Sequence, residues 1–308
     1  MSILFAFPGQ GAQYPGMLQA VGAAPVVKEC LEQACDVLGQ SLTSLDTPEA
    51  LTDTRAVQLC LLIAGTAQAR LLLQDNPPPD YVSGLSIGAY PAAVIAGVLD
   101  YSDALRLVAL RGTLMQQAYP HGYGMTAILG LERSAVERLI AQATLPVFLA
   151  NINAGNQHVI AGSDDAMAAF ASAARAAGAG AAKRLAVSVP SHCALLEAPA
   201  RTLAEAFAEV TLRRPRIGYL SSTRARQLHD PEALRDDLAF NMCRPVEWYA
   251  TLCNAHERGV RLLLELPPGS VLSGLARRVF ENGTVVACQG TRPDTLAALI
   301  RREVNATH

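Results

Sequence analysis

The sequence lacks an excess of charge of either sign: 25 Lys and Arg stand against 27 Asp and Glu, a net −2 over 308 residues, with a pI near 6.3. A nucleic-acid binder needs a basic patch to neutralise phosphates, so that class is excluded first. No leader is expected either. The apolar start, Ser2-Ile3-Leu4-Phe5-Ala6-Phe7, has no basic residue ahead of it and stops at Pro8-Gly9, too short for a signal core or a spanning helix. Arg55 and Arg70 bracket the mostly apolar run 56–69, which has the length of a buried core helix. No membrane segment is expected. The seven cysteines (Cys30, Cys35, Cys60, Cys193, Cys243, Cys253 and Cys288) are odd in number and include no C-x-x-C pair. Reduced, buried thiols in a reducing compartment, the cytoplasm, are therefore expected. Neither the cysteines nor the histidines show metal-ligand spacing, so no metal is expected. Asn282-Gly283-Thr284 and Asn305-Ala306-Thr307 match the glycosylation pattern, but without a secretion signal they are chance matches.

With 51% hydrophobic residues the chain has ample material for a core, and disorder is excluded. Residues 3–7 and 81–83 are predicted as short buried strands. Helical patterning covers 20–40, 55–74, 91–98 and 102–118, with Ser102 as an N-cap. That alternation of strand and helix indicates a mostly parallel sheet covered by helices. The texture changes near His121-Gly122-Tyr123-Gly124. Strands are predicted at 125–129, 147–152, 158–161 and 186–189, with helices at 134–142 and 164–177. This β-α-β-β-α-β order is the ferredoxin-like pattern. The first texture resumes from Pro190, with helices at 195–210, 231–241 and 248–258 and strands at 217–221 and 261–266. The expected architecture is α/β: a large α/β-hydrolase-like domain with a parallel sheet core, 1–123 and 190–308, interrupted by a small ferredoxin-like subdomain at 124–189.

Gly84-Leu85-Ser86-Ile87-Gly88 fits G-x-S-x-G between a predicted strand and a helix. A serine on such a sharp turn is exposed, and the helix start behind it aims N–H groups at a developing oxyanion. An ordinary glycine-rich turn would produce the same letters. A serine nucleophile needs a base. Of the six histidines, His308 is terminal, His229 sits in a polar turn, His256 in a charged helix end, His158 on a strand of the insertion and His121 in a loop. His192, in Val189-Pro190-Ser191-His192-Cys193, lies where the insertion rejoins the main domain. A satisfied structural histidine is the competing reading.

Five motifs occur together in order: Phe7-Pro8-Gly9-Gln10-Gly11-Ala12-Gln13, the serine turn, Leu110-Arg111-Gly112, residues 187–195 around His192, and Leu266-Pro267-Pro268-Gly269-Ser270-Val271-Leu272. Over nearly its whole length the chain resembles the malonyl-CoA:acyl-carrier-protein transacylase family. That resemblance implies Ser86 as nucleophile, His192 as its base, and the backbone N–H groups of Gln10 and Ile87 as the oxyanion hole. Arg111 would hold the malonyl carboxylate, with Asn153 and Ser191 also binding substrate; Asn151 and Gln157 belong to the same asparagine-rich strand-turn beside the cleft. The family orients its histidine with a backbone carbonyl, here that of Asn241, where glutamine is usual. It further implies malonyl-CoA as donor, an acyl carrier protein as partner and no bound cofactor.

Two letters depart from the family elbow, Leu85 for histidine and Ala89 for glutamate. The resulting Gly-Leu-Ser-Ile-Gly-Ala-Tyr-Pro resembles one branch, the transacylase subunit of bacterial malonate decarboxylase. That branch implies a carrier bearing phosphoribosyl-dephospho-CoA as acceptor. The alternative within the family is the transacylase of fatty-acid synthesis, whose carrier bears phosphopantetheine. A serine esterase of the α/β-hydrolase kind expects an acid between serine and histidine and a histidine near the C-terminus, and His192 comes too early for it. A patatin-like Ser–Asp dyad lacks its Asp-Gly motif, and a non-catalytic carrier-binding module is the remaining rival. Arg213, Arg214, Arg216, Arg277 and Arg278 are candidates for docking an acidic carrier.

Overall fold

The computed structural model describes residues 2–305; His308 and the last two residues of Asn305-Ala306-Thr307 lie outside the described residues. The strands are β1 (Ser2–Phe7), β2 (Tyr81–Gly84), β3 (Tyr123–Leu129), β4 (Val147–Ala154), β5 (Gln157–Ser163), β6 (Ala181–Arg184), β7 (Gly218–Ser221), β8 (Arg226–Leu228), β9 (Val260–Glu265) and β10 (Thr284–Ala287). They form two sheets, a six-stranded one in the order β10-β9-β1-β2-β7-β8 and a four-stranded one in the order β4-β5-β3-β6.

The expected α/β architecture is present, with one amendment. From β10 to β7 the large sheet is parallel, but β8 folds back antiparallel on β7, so the sheet is mixed. Because strand side chains alternate, β1 feeds two cores. Ile3, Phe5 and Phe7 join the larger one under the helices, while Leu4 and Ala6 join Val246, Trp248 and Leu263 on the other face. The helix Thr54–Asp75 is long and apolar enough to cross a membrane by length and composition. Its residues Val57, Leu59, Cys60, Leu61, Leu62 and Ile63 are instead core, which is why it lacks a polar face. Asp53 caps its start by accepting the Ala56 N–H at 3.1 Å.

The helix Tyr101–Ala118 lies against it. A Cβ on Gly112 would sit 2.4 Å from Arg55 Cα, so only glycine permits this approach. The contact brings Arg111 and Gln58, both fully buried, face to face. The cap expected at Ser102 is absent: the helix starts earlier, with Asp100 in the capping position, and Ser102 Oγ accepts a hydrogen bond from Gln33 Nε2 at 3.0 Å.

The small sheet has the ferredoxin-like order, with helices Arg133–Gln142 and Asp164–Ala176 on one face. Its last strand is β6, five residues earlier than the expected 186–189; pairing with β3 uses Ala181 to Arg184. The run 186–189 is irregular and leads back to the large sheet, because Val187 packs beside Cys193 under the open face of the small sheet. A parallel bridge ties β4 to the chain just ahead of the helix Trp248–Glu257: the Ile152 N–H donates to Val246 O, and the Val246 N–H to Ala150 O, each at 2.8 Å.

Gly112→Ala is expected to push these two helices apart and lower stability by about 2–3 kcal/mol. Urea unfolding checks this, with the exposed Ser172→Ala as a control expected to shift by less than about 0.5 kcal/mol.

Candidate active site

The carboxyl ends of β9, β1 and β2 converge on one crevice, the usual position of a ligand site in an open α/β sheet. Three glycines build its floor. A Cβ on Gly84 would fall 1.9 Å from the carbonyl carbon of Gly88, and one on Gly88 would fall 2.2 Å from Phe7 O. A Cβ on Gly9 would meet Leu85 Cδ2 at 2.7 Å. The loop after β1 therefore lies directly on the turn after β2, and the turn has no room for side chains at either end of Gly-x-Ser-x-Gly. Ser86 takes a left-handed conformation, φ 57°, a strain that non-glycine residues adopt where the surroundings impose it.

His192 is also left-handed, at φ 64°. Its Nε2 lies 2.8 Å from Ser86 Oγ. On the other side Nδ1 donates to Asn241 O at 2.9 Å and to Arg244 O at 3.2 Å, which places the acceptor tautomer at Nε2. Among the described residues no other histidine reaches the serine: His121 and His229 are exposed, His158 is buried in β5, and His256 stacks edge-on against Phe280. Burial first, and the Arg111 charge second, pull the His192 pKa down to about 4, against the two carbonyls that pull it up. The imidazole is therefore neutral at pH 7 and available as a proton acceptor.

Arg111 lies behind the pair. Its Nη1 donates to Gln58 Oε1 at 2.6 Å, and its Nη2 reaches Ser86 Oγ and Asn241 Oδ1 at 3.4 Å each. The Tyr90 ring is 5.9 Å away. All of these partners are neutral, and among the described residues no carboxylate forms an ion pair with it. Its Nε has no partner among them either. A fully buried guanidinium without a counter-ion is costly, and burial holds its pKa below the ordinary arginine value. The side chain of Asn241, silent in the sequence reading, thus bridges to Arg111 while its backbone holds His192.

Gln58 was not foreseen. A glutamine inside a mostly apolar, buried helical run was the available signal, because such a side chain must find partners. It accepts from Arg111 and donates to Gln10 Oε1 at 3.2 Å and Met115 Sδ at 3.3 Å. Gln10 itself follows Gly9 beside Ser86, and Ile87 is the middle residue of the helical turn Ser86–Gly88, so both backbone segments border the serine. A cavity of about 400 Å³ opens above, lined by Ser86, Leu85, Gln10, Ser191, His192, Asn151, Asn153 and Gln157. The side-chain oxygens of Asn151 and Asn153 have no partner among the described residues. Among the described residues no cluster of His, Cys, Asp and Glu could hold a metal ion. Of the docking arginines, Arg213 is already engaged with Asp100 at 2.7 Å and Arg278 with Asn156 at 3.4 Å.

Comparison with known proteins is consistent with this geometry. The acyl transferase domain family matches residues 4–308. The malonyl CoA-acyl carrier protein transacylase of Escherichia coli K12 is 37% identical over 304 residues, 96% of this chain and 98% of that protein. Among solved structures, the malonyl CoA-acyl carrier protein transacylase of Coxiella burnetii superposes with a TM-score of 0.93 at 33% identity, covering 97% of this chain and 98% of that one. A malonyl-transacylase solved in complex with a type II PKS acyl-carrier protein gives 0.92 at 36% identity, covering 98% and 100%. These relatives overturn the expected assignment to the malonate-decarboxylase transacylase subunit and its phosphoribosyl-dephospho-CoA acceptor. Leu85 and Ala89, the letters behind that assignment, concern one wall of the crevice and the buried start of the next helix, whereas the likeness extends along the chain.

A histidine held neutral by burial makes stability depend on pH. The folded pKa lies below the ordinary value of 6.5, so the unfolded chain takes up the proton first. The contribution is complete above pH 6.5 and is lost as pH falls toward 4. Relative to His192→Asn, which tolerates the left-handed backbone and does not titrate, the protein is expected to lose about 3 kcal/mol between pH 7 and 4, measured by urea unfolding across that range.

Proposed function

The chain belongs to the acyl transferase domain family and is an acyltransferase of the malonyl-CoA:acyl-carrier-protein S-malonyltransferase type; we propose that it charges the phosphopantetheine thiol of a fatty-acid-synthesis carrier protein through a malonyl ester on Ser86. The observation that carries this reading is the buried guanidinium of Arg111, surrounded by neutral oxygens and 3.4 Å from the serine hydroxyl. A malonyl ester places a free carboxylate at the third carbon from that hydroxyl, within reach of a buried charge that has no ionic partner. Planar guanidinium and carboxylate then pair through two parallel hydrogen bonds. An acetyl group would leave Arg111 as it is, so the pairing selects for a dicarboxylic acyl group.

The chemistry follows from the proton positions. His192 Nε2 takes the proton of Ser86 Oγ as the oxygen attacks the thioester carbon. The tetrahedral oxyanion is received by the backbone N–H groups of Gln10 and Ile87. As the C–S bond breaks, His192 returns the proton to the CoA sulfur, leaving malonyl-Ser86. The carrier thiol enters next, gives its proton to His192 and attacks the ester; Ser86 Oγ leaves and regains that proton. Malonate binding also neutralises the Arg111 charge that helps depress His192, so the base strengthens once the correct acyl group is in place. Leu85 provides an apolar wall, and Asn151 and Asn153 line the crevice that the acyl and pantetheine groups would fill. One thioester replaces another, so transfer must outpace water, which a crevice between the two sheets favours over an open groove. Residues 1–123 and 190–308 would act as the catalytic body, and 124–189 as the wall that closes it.

Mixing the protein with malonyl-CoA and mapping peptides by mass is expected to find malonate esterified to Ser86, and none in Ser86→Ala. The adduct should then pass to a phosphopantetheinyl fatty-acid carrier. Absence of the adduct, or its loss to water without transfer, would overturn the proposal. In Arg111→Ala, kcat/KM for malonyl-CoA is expected to fall on the order of 10²-fold, the loss of a buried charge pair. The malonyl-over-acetyl preference should collapse with it.

A further inference from the structure

We propose that the Asp236–Arg244 ion pair is the positioning device of the site, closing the chain segment whose three backbone carbonyls hold His192. This rests on the reading of His192 as the base. A carboxylate partner turns with the imidazole it orients; a backbone carbonyl is aimed only as well as the chain that carries it. Here every hydrogen-bond acceptor offered to His192 by the main chain comes from residues 241–244. Asn241 O and Arg244 O take Nδ1–H at 2.9 and 3.2 Å, and Met242 O takes the His192 backbone N–H at 2.7 Å. The segment is a single tight turn, Asn241–Cys243, at the end of the helix Pro231–Phe240.

Both flanks of that turn are tied. Arg244 reaches back over it to Asp236: Nη1 donates to Oδ2 at 2.6 Å, Nη2 to Oδ1 at 2.9 Å, and Nη1 also to Asp236 O at 3.3 Å. Its guanidinium lies over the Phe240 ring at 4.9 Å, so the turn is spanned and packed by the same side chain whose carbonyl it presents. Arg224 donates to Asp236 from the other side, and the two guanidiniums hold that carboxyl below the usual range. The next residue, Asp237, is fully buried and accepts hydroxyls from Ser221 at 2.7 Å and Tyr219 at 3.2 Å, fastening the helix to β7. Past Arg244, Val246 is bound into β4. Neither Asp236 nor Arg244 touches the crevice, so their effect on the reaction passes through the carbonyls alone.

The test compares Asp236→Asn, Arg244→Gln and Arg244→Lys with the parent protein and with His192→Ala. Asp236→Asn and Arg244→Gln are expected to lower kcat about tenfold with KM for malonyl-CoA within about twofold, the mark of a misplaced base rather than of lost binding. Arg244→Lys, which keeps the charge but not the two-pronged contact, should fall between. The His192 Nδ1 proton resonance, low-field when held between two carbonyls, should move upfield or broaden in the same order. Full kcat in Asp236→Asn and Arg244→Gln while His192→Ala is inactive would overturn the clamp and leave the base in place. A loss of kcat with the Nδ1 resonance unmoved would also overturn it. Full transfer by His192→Ala would instead remove the reading of the base on which the clamp rests.

Discussion

A guanidinium held out of water with nothing but neutral oxygens around it is the constraint around which this site is arranged. Replacing the water around such a charge needs every available acceptor. The amide of Gln58, the side chain of Asn241 and the hydroxyl of Ser86 are those acceptors. Each sits on a different element, so Arg111 draws together the long core helix, the turn after β2 and the end of the helix Pro231–Phe240. The glycine at 112 is what lets the helix that carries Arg111 approach the long core helix. Full pairing inside the protein would relieve the charge and would leave nothing for a ligand to complete. In the proposed function the incomplete shell would convert an unfavourable burial into selectivity, a difference in affinity between acyl groups that carry a carboxylate and those that do not.

Catalytic geometry is assembled with the same restraint in the backbone. Ser86 and His192 both adopt positive φ, and the surrounding contacts hold them there. Gly84, Gly88 and Gly9 leave no slack beneath the serine. The histidine is suspended from carbonyls rather than from an acid, so its neutral form is favoured by burial and by the neighbouring positive charge. An acid in that place would raise the pKa and bring a negative charge near Arg111. Suspension from carbonyls keeps the histidine neutral and leaves the guanidinium without a counter-ion.

Much of this was readable from letters whose meaning is local. A Gly-x-Ser-x-Gly turn declares its own crowding, and the strands around it show as short apolar runs. The two textures of the chain also separated the parallel-type sheet from the ferredoxin-like one. What stayed hidden depends on long-range partners. Gln58 is a polar letter in a mostly apolar helix until Arg111 arrives from fifty-three positions away. The Asn241 side chain was treated as incidental because its backbone explained its position. The last strand of the small sheet was placed too late, at 186–189, because that run looks apolar; its pairing with β3 falls on the polar Lys183 and Arg184 at an exposed edge. The assignment to a decarboxylase branch failed for a related reason. Leu85 and Ala89 shape the inner wall and the helix behind it, and neither can report which carrier docks outside.

The hydrogen-bonded seam between Val246 and the strand that bears Asn151 and Asn153 joins two things that lie far apart in the chain. Val246 follows closely on the segment whose carbonyls hold His192, so the main chain that suspends the imidazole is tied into an edge strand of the small sheet. The asparagine-bearing wall of the crevice and the histidine are thereby keyed to one another through backbone alone.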